Sequence, residues 1–335
     1  MGKTRLVRRR YPNAAARPFA PPGIRRGVFG RALDGQGRIH QCPPFMTEPA
    51  QLTSGVLAAV LGAAALHALW NSLVKSASDK FLSSAVVAIW CGAVAFLAAL
   101  VLPRPASAAM PFIAASAIIH IVYFLLVGRL YRSADLSVAY PMMRGLAPLI
   151  AGVIALAALG EAPGPIARLG IAALVAGVLA MGASGLAHGR IDRSTIIVAL
   201  ANSAVIAIYS VIDGEGARIS GAGAAFAFAY NSWADALTAV AYLPILLCLR
   251  GRALATGFTH DWRRGFIGGV AAFLGYAIVI WAMTRAPIAS VAALRETSVV
   301  FAAIIGVVAL REPFNAQRAI AALVILAGVV LLRLG

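Results

Sequence analysis

Charge is scarce in this chain, and negative charge scarcer still. Of its 335 residues 12% are charged, where a soluble domain carries roughly 25%. Twelve Asp and Glu stand against 29 Lys and Arg, while 61% of the residues are hydrophobic. This balance excludes an ordinary water-soluble domain and points to many membrane spans. Cysteine is scarce too: Cys42, Cys91 and Cys248 lie far apart, and two of them sit in apolar stretches. That excludes a disulfide framework and a CxxC metal site. The chain has no HExxH, no Walker loop and no GxGxxG fingerprint. GASG at Gly182–Gly185 matches the GxSG pattern of intramembrane serine proteases. Its serine would need a base, yet the only later histidines, His188 and His260, fall in loops. A polytopic synthase would carry a cluster of acids or histidines at a membrane face, and none is present. The expectation is therefore a protein with no catalytic residue, no metal and no cofactor.

The formal charge of +17 invites a nucleic-acid reading, which its distribution argues against. Residues 1–45 hold ten Lys and Arg against one acid, Asp34, and are rich in Pro and Gly. Such a tail cannot bury enough apolar surface to fold, and it lacks the apolar core of a signal peptide. It reads as a disordered basic arm on anionic lipid, as a transit peptide, or as a mis-assigned start. Met46, followed by TEPAQLTSG and the first apolar run, is the favoured beginning. No nucleic-acid partner is expected; the expected partners are the lipid bilayer and a small-molecule substrate. A homodimer is left open.

About ten apolar runs follow, each near the 20 residues needed to cross a ~30 Å hydrocarbon core. The fourth spans Leu136–Leu159, the sixth Ser194–Ile212 and the ninth Ile288–Leu310, with short Pro- and Gly-punctuated loops such as DGEG at Asp213–Gly216. The chain also repeats itself. AYPMMRGLAPLIAGVIALAALGE, ending at Glu161, returns as SVAALRETSVVFAAIIGVVALRE, ending at Glu312. Arg144 and Arg295, Glu161 and Glu312, and Gly177 and Gly328 are each 151 residues apart. Residues 46–190 and 191–335 thus read as two repeats of five helices. An odd number of helices per repeat inverts the second relative to the first, the plan of many secondary transporters. The fold class is all-α and polytopic: about ten transmembrane helices as two inverted five-helix repeats. Loop basic residues number 12 on one side and four on the other, which places both termini outside by the positive-inside rule.

Ionisable side chains inside spans are costly and mark functional positions. Arg144 and Arg295 lie well inside their helices. Glu161 and Glu312 fall 17 residues further on, roughly 25 Å along the axis, and read as helix-end residues rather than partners of those arginines. Polar stripes at helical spacing lie elsewhere: His67, Trp70 and Asn71; Ser116, His120 and Tyr123; Asn202, Tyr209 and Asp213; Asn231, Asp235, Thr238 and Tyr242. Tyr140 and Tyr276 add two hydroxyls. The substrate-binding candidates are Arg144, Arg295, His67, Trp70, Asn71, His120, Tyr123, Tyr140, Asn231, Asp235 and Tyr276. Asp235 and Glu296 are the candidates for proton coupling. The arginines either close structural pairs, for example Arg144 with Asp235, or meet an anionic or zwitterionic substrate.

LHALWNSLVKS, the two arginine-bearing segments and YSVIDGEGAR together resemble the EamA family of the drug/metabolite transporter superfamily over about residues 50–335. The resemblance implies secondary transport, frequently export, of small metabolites such as amino acids. It also implies a central cavity built by both repeats, cytoplasmic termini and a multi-pass protein of the cell (inner) membrane. Relatives with a similar first span are associated with phosphonate use. The expected activity is alternating-access transport of a small polar, amino-acid-like metabolite, with anions among the candidates. The competing class is a membrane-embedded enzyme or accessory subunit that transports nothing.

Overall fold

The computed structural model describes residues 52–133, 143–186, 193–310 and 316–335, together with three short strands within residues 25–41. The chain forms two compact units, Met1–Pro49 and Ala50–Gly335. In the first unit β1 (Arg25–Arg26), β2 (Arg31–Leu33) and β3 (Ile39–Gln41) pair antiparallel in that order. The expected reading of this tail as disordered or mis-assigned falls mostly on residues outside those described.

Every described element of the second unit is a helix. Its helices are α1 (Ser54–Lys75), α2 (Lys80–Val101), α3 (Met110–Ser133), α4 (Ala147–Leu159), α5 (Pro165–Leu186) and α6 (Arg193–Ser220). They continue as α7 (Ala224–Arg250), α8 (Arg252–His260), α9 (Trp262–Met283), α10 (Ile288–Arg295), α11 (Ser298–Leu310) and α12 (Ala316–Leu334). Local chemistry sets their ends. Thr53 and Asp79 accept the amides of Val56 and Leu82, capping α1 and α2. Leu102, pushed out of helical geometry by Pro103, closes α2. Gly160 takes the left-handed C-cap of α4 at φ +71°. Large apolar side chains such as Leu97, Val101, Val153, Ile304 and Val308 point outward, as lipid-facing helices require.

Among the described residues eight helical stretches are long and apolar enough to cross a membrane, counting Ile288–Val308 as one. Two further apolar helices, Met143–Leu159 and Pro165–Met181, are shorter. The sixth apolar run differs from expectation. DGEG is no loop: α6 runs through it to Ser220, and Asp213 is fully buried inside the helix. Gly216 makes this helix fit, because a Cβ there would collide with the Tyr230 ring and with Phe112.

Neither arginine-bearing segment is one straight helix. In the first, a helical turn at Met143–Gly145 breaks at Leu146 before α4. Pro148 supplies the reason: it has no amide to give to the carbonyl of Arg144, and its ring crowds that carbonyl. In the second, α10 ends at Arg295 and α11 starts at Ser298. Between them Glu296, Thr297 and Val299 donate to carbonyls three residues back, a tight 3₁₀-like turn. The restart positions, Ala147 and Ser298, are 151 residues apart, as are the helix ends Leu159 and Leu310.

Three helix pairs carry the packing that positions the site. In α5 and α12, Gly170 abuts Gly328 and Leu332, Gly177 abuts Ala321 and Ile325, and Gln317 reaches the carbonyl of Ala180. Residue numbers rise along one helix as they fall along the other, so the pair is antiparallel. Between α2 and α7, Asp79 meets Arg250, Cys91 meets Asp235 and Gly92 meets Ala239, again antiparallel. In the segments around α4 and α10, Arg144 meets Glu296, Gly152 meets Ala289 and Glu161 meets Ile288. Three further sets of contacts match: α1 on α9 with α6 on α3, α2 on α9 with α7 on α3, and α1 on α11 with α6 on α4.

Candidate functional site

The two helix breaks meet. Arg144, on the turn before α4, donates its Nε to Glu296 Oε2 at 2.8 Å, and both side chains are buried, 1% and 2% exposed. Arg144 therefore pairs with Glu296 and not with Asp235. The geometry follows from the breaks: each ends a helical segment beside its arginine and brings a polar residue against the other broken segment. Arg295, also buried, has its Nε 3.6 Å from Glu296 Oε1, too far for a hydrogen bond. One carboxylate thus sits between two guanidinium groups.

An aromatic cluster adjoins them. The Tyr209 ring lies 6.0 Å from the guanidinium carbon of Arg295. Its centroid is 4.3 Å from His120, 5.9 Å from Tyr123 and 6.0 Å from Tyr276. His120 is held on α3 by the hydroxyl and carbonyl of Ser116, at 3.2 and 2.9 Å. The Tyr276 hydroxyl donates to Asp213 Oδ2, and the Tyr230 hydroxyl donates to Asp213 Oδ1 at 3.1 Å. A chain of polar groups thus runs from Glu296 through Arg295 and the rings to Asp213, drawing on α3, α6, α7, α9 and the two broken segments.

The other predicted residues divide. His67 lies on α1 where that helix packs against α9 at Gly275. Trp70 donates its Nε1 to His67 Nδ1 at 3.2 Å, and Asn71 donates to the His67 carbonyl at 2.8 Å, so these two fix the histidine locally. Asn231 and Asp235 form a separate group on the α2–α7 pair. Asp235 Oδ2 accepts from Asn231 Nδ2 at 3.0 Å and from Cys91 Sγ at 3.7 Å. It borders a cavity of about 30 Å³ that Phe124, Thr238 and Tyr242 also line. Tyr140 and Glu312 lie outside the described residues. Glu161 is a rim residue: it pairs with Arg218 and accepts the amide of Ile288 at the start of α10. Among the described residues no group of His, Cys, Asp and Glu could hold a metal ion.

Three residues of this cluster were not among the binding candidates: Tyr209, Asp213 and Tyr230. The first two belong to the polar stripe of the sixth apolar run. Tyr230 carried no signal of its own.

Against known proteins, residues 193–334 match the model of the EamA-like transporter family. Among solved structures, a crystal structure superposes with a TM-score of 0.65 at 18% identity, covering 85% of this chain and 96% of that chain. At that identity the likeness is one of fold. No curated protein matches the chain.

Proposed function

We propose that this protein, an EamA-like transporter by the match over residues 193–334, is a ten-span secondary transporter working by alternating access. Its two five-helix halves are inverted repeats, and a small polar, amino-acid-like metabolite binds between them. Export across the cell (inner) membrane is the proposed direction. One observation carries the reading: two helices broken beside buried arginines 151 residues apart meet antiparallel, one from each half, through Arg144 and Glu296. Discontinuous helices facing each other across a repeat interface are where inverted-repeat transporters bind substrate. The antiparallel course of the three equivalent helix pairs supports the inversion. Asp235 and Glu296 are the groups proposed to exchange protons during the cycle.

Counterflow in proteoliposomes tests this. Vesicles preloaded with unlabelled metabolite should accumulate the labelled form with saturable kinetics. Absence of exchange across a broad panel of amino acids and related small metabolites would sink the transporter reading.

A further inference from the structure

We infer that Arg295, and not Arg144, is the anion-recognising residue, and that the substrate carries a single carboxylate or phosphonate group. This deepens the transporter reading and rests on it. The observation is an imbalance of partners. Arg144 and Arg295 are both buried, at 1% and 3% exposure, and share one carboxylate, Glu296. Glu296 Oε2 is committed to Arg144 Nε at 2.8 Å, while Oε1 stands 3.6 Å from Arg295 Nε. Neither Nε nor Nη2 of Arg295 makes a hydrogen bond among the described residues, whereas Arg144 uses its Nε on Glu296 and its Nη2 alone among its buried donors lacks a hydrogen bond there.

The neighbouring acids are engaged elsewhere. Asp213 accepts the hydroxyls of Tyr230 and Tyr276. Asp235 is held by Asn231 and Cys91 on the α2–α7 pair. The centre therefore holds a desolvated guanidinium with donors to spare. A buried cation without hydrogen bonds is costly, so a sequence keeps one for a purpose other than stability. The Arg295 fork fits a carboxylate or phosphonate, which it grips with two parallel N–H donors.

The rings beside it set the rest of the ligand. Tyr209, His120 and Tyr276 lie within 6.0 Å of one another by centroid, and the Tyr209 ring is 6.0 Å from the guanidinium carbon. They offer faces and edges to an apolar or flat body attached to the anion. Glu296 then acts as the resident counter-charge. The substrate anion replaces its weak hold on Arg295 while Arg144 keeps Glu296 in place.

The test measures ligand-induced shifts of the unfolding midpoint of the purified full-length protein. Its probes are matched pairs: phenylacetate with phenylacetamide, propionate with propionamide, and methylphosphonate with its dimethyl ester. At least one anion should stabilise the wild type while its neutral partner does not. Arg295→Gln should lose that anion's affinity by tenfold or more, with an unliganded midpoint equal to or above wild type. Arg295→Lys, which keeps the charge without the fork, should lose part of the affinity. Four results would each overturn the inference: no anion shifts the midpoint; anion and neutral partner act alike; either variant keeps full anion affinity; or Arg295→Gln destabilises the unliganded protein. Counterflow separates the two readings. Anion preference without counterflow of any probe leaves the binding site standing and removes transport. Counterflow that Arg295→Gln does not change leaves transport standing and removes the inference.

Discussion

At the scale of single residues, the chemistry divides between groups that hold the fold and groups left with capacity. Arg144 and Glu296 are a buried ion pair with one short, aligned hydrogen bond. Removing one partner of such a pair strands the other charge in a low dielectric and costs about 3–5 kcal/mol. Arg144→Gln and Glu296→Gln should each lower stability by that order, and the double variant should cost clearly less than their sum. Unfolding of detergent-solubilised protein, run as a double-mutant cycle, measures the difference; additive losses would mean the two side chains are not coupled. Both residues were legible in the sequence as buried charges, because an arginine nine residues into an apolar run has few explanations. Their pairing was not legible. The partners are 152 residues apart, and only the meeting of two helix breaks brings them together. Asp213 was legible as part of a polar stripe, but the helix running on past it was not: DGEG has the composition of a turn, yet it is helical and Gly216 packs closely against Tyr230 and Phe112.

At the scale of elements, the breaks and their rims decide what can move. Hydropathy identified each arginine-bearing run as one crossing helix and passed over the interruption, although Pro148 was its visible cause. Proline at the second position of α4 is tolerated because its amide would be free there, so replacing it changes little except continuity. Pro148→Ala should let the helix run on through Leu146, raise stability by about 1 kcal/mol and slow counterflow. A variant that gained stability with unchanged exchange rates would mean that the break plays no part in the cycle. The far end of α4 is tied down by chemistry that hydropathy cannot register. Glu161 pairs with Arg218 and accepts the Ile288 amide, while Arg218 donates to the carbonyls of Met283 and Ala286. One carboxylate thus satisfies the start of α10, and one guanidinium satisfies the end of α9. Glu161→Ala should cost about 1–2 kcal/mol. Hydrogen exchange should quicken at Ile288–Val291 and stay unchanged in the middle of α9.

At the scale of the whole molecule, positions 151 residues apart in the sequence make matching contacts. Gly177 lies against Ile325 and Ala321; shifted by 151 residues in each direction, these become Gly328 against Leu174 and Gly170, and those contacts are present. Such reciprocity is what a two-fold relation between two helices produces. The spacing of 151 was readable because the matching segments keep their register without a gap. Which helices would touch was not, since apolar helices in lipid lack the one-sided pattern that marks a buried face in water. Packing there depends on shape. A Cβ on Gly328 would sit 2.8 Å from the Leu174 amide nitrogen and 2.9 Å from the Gly170 carbonyl oxygen. One on Gly170 would sit 2.7 Å from the Leu332 amide nitrogen and 2.9 Å from the Gly328 carbonyl oxygen. Backbone cannot turn aside as a side chain can, so either methyl must push α5 and α12 apart, at about 1–3 kcal/mol. Once one has separated the helices, the second has less to displace. Gly170→Ala and Gly328→Ala should therefore each destabilise, and the double variant by less than their sum. Gly62, with open space around it on α1, is the control: its alanine should hold or raise stability. Thermal unfolding of the four variants measures all of this. Single losses no larger than that of the Gly62 control, or a fully additive double, would contradict the close backbone approach of α5 and α12.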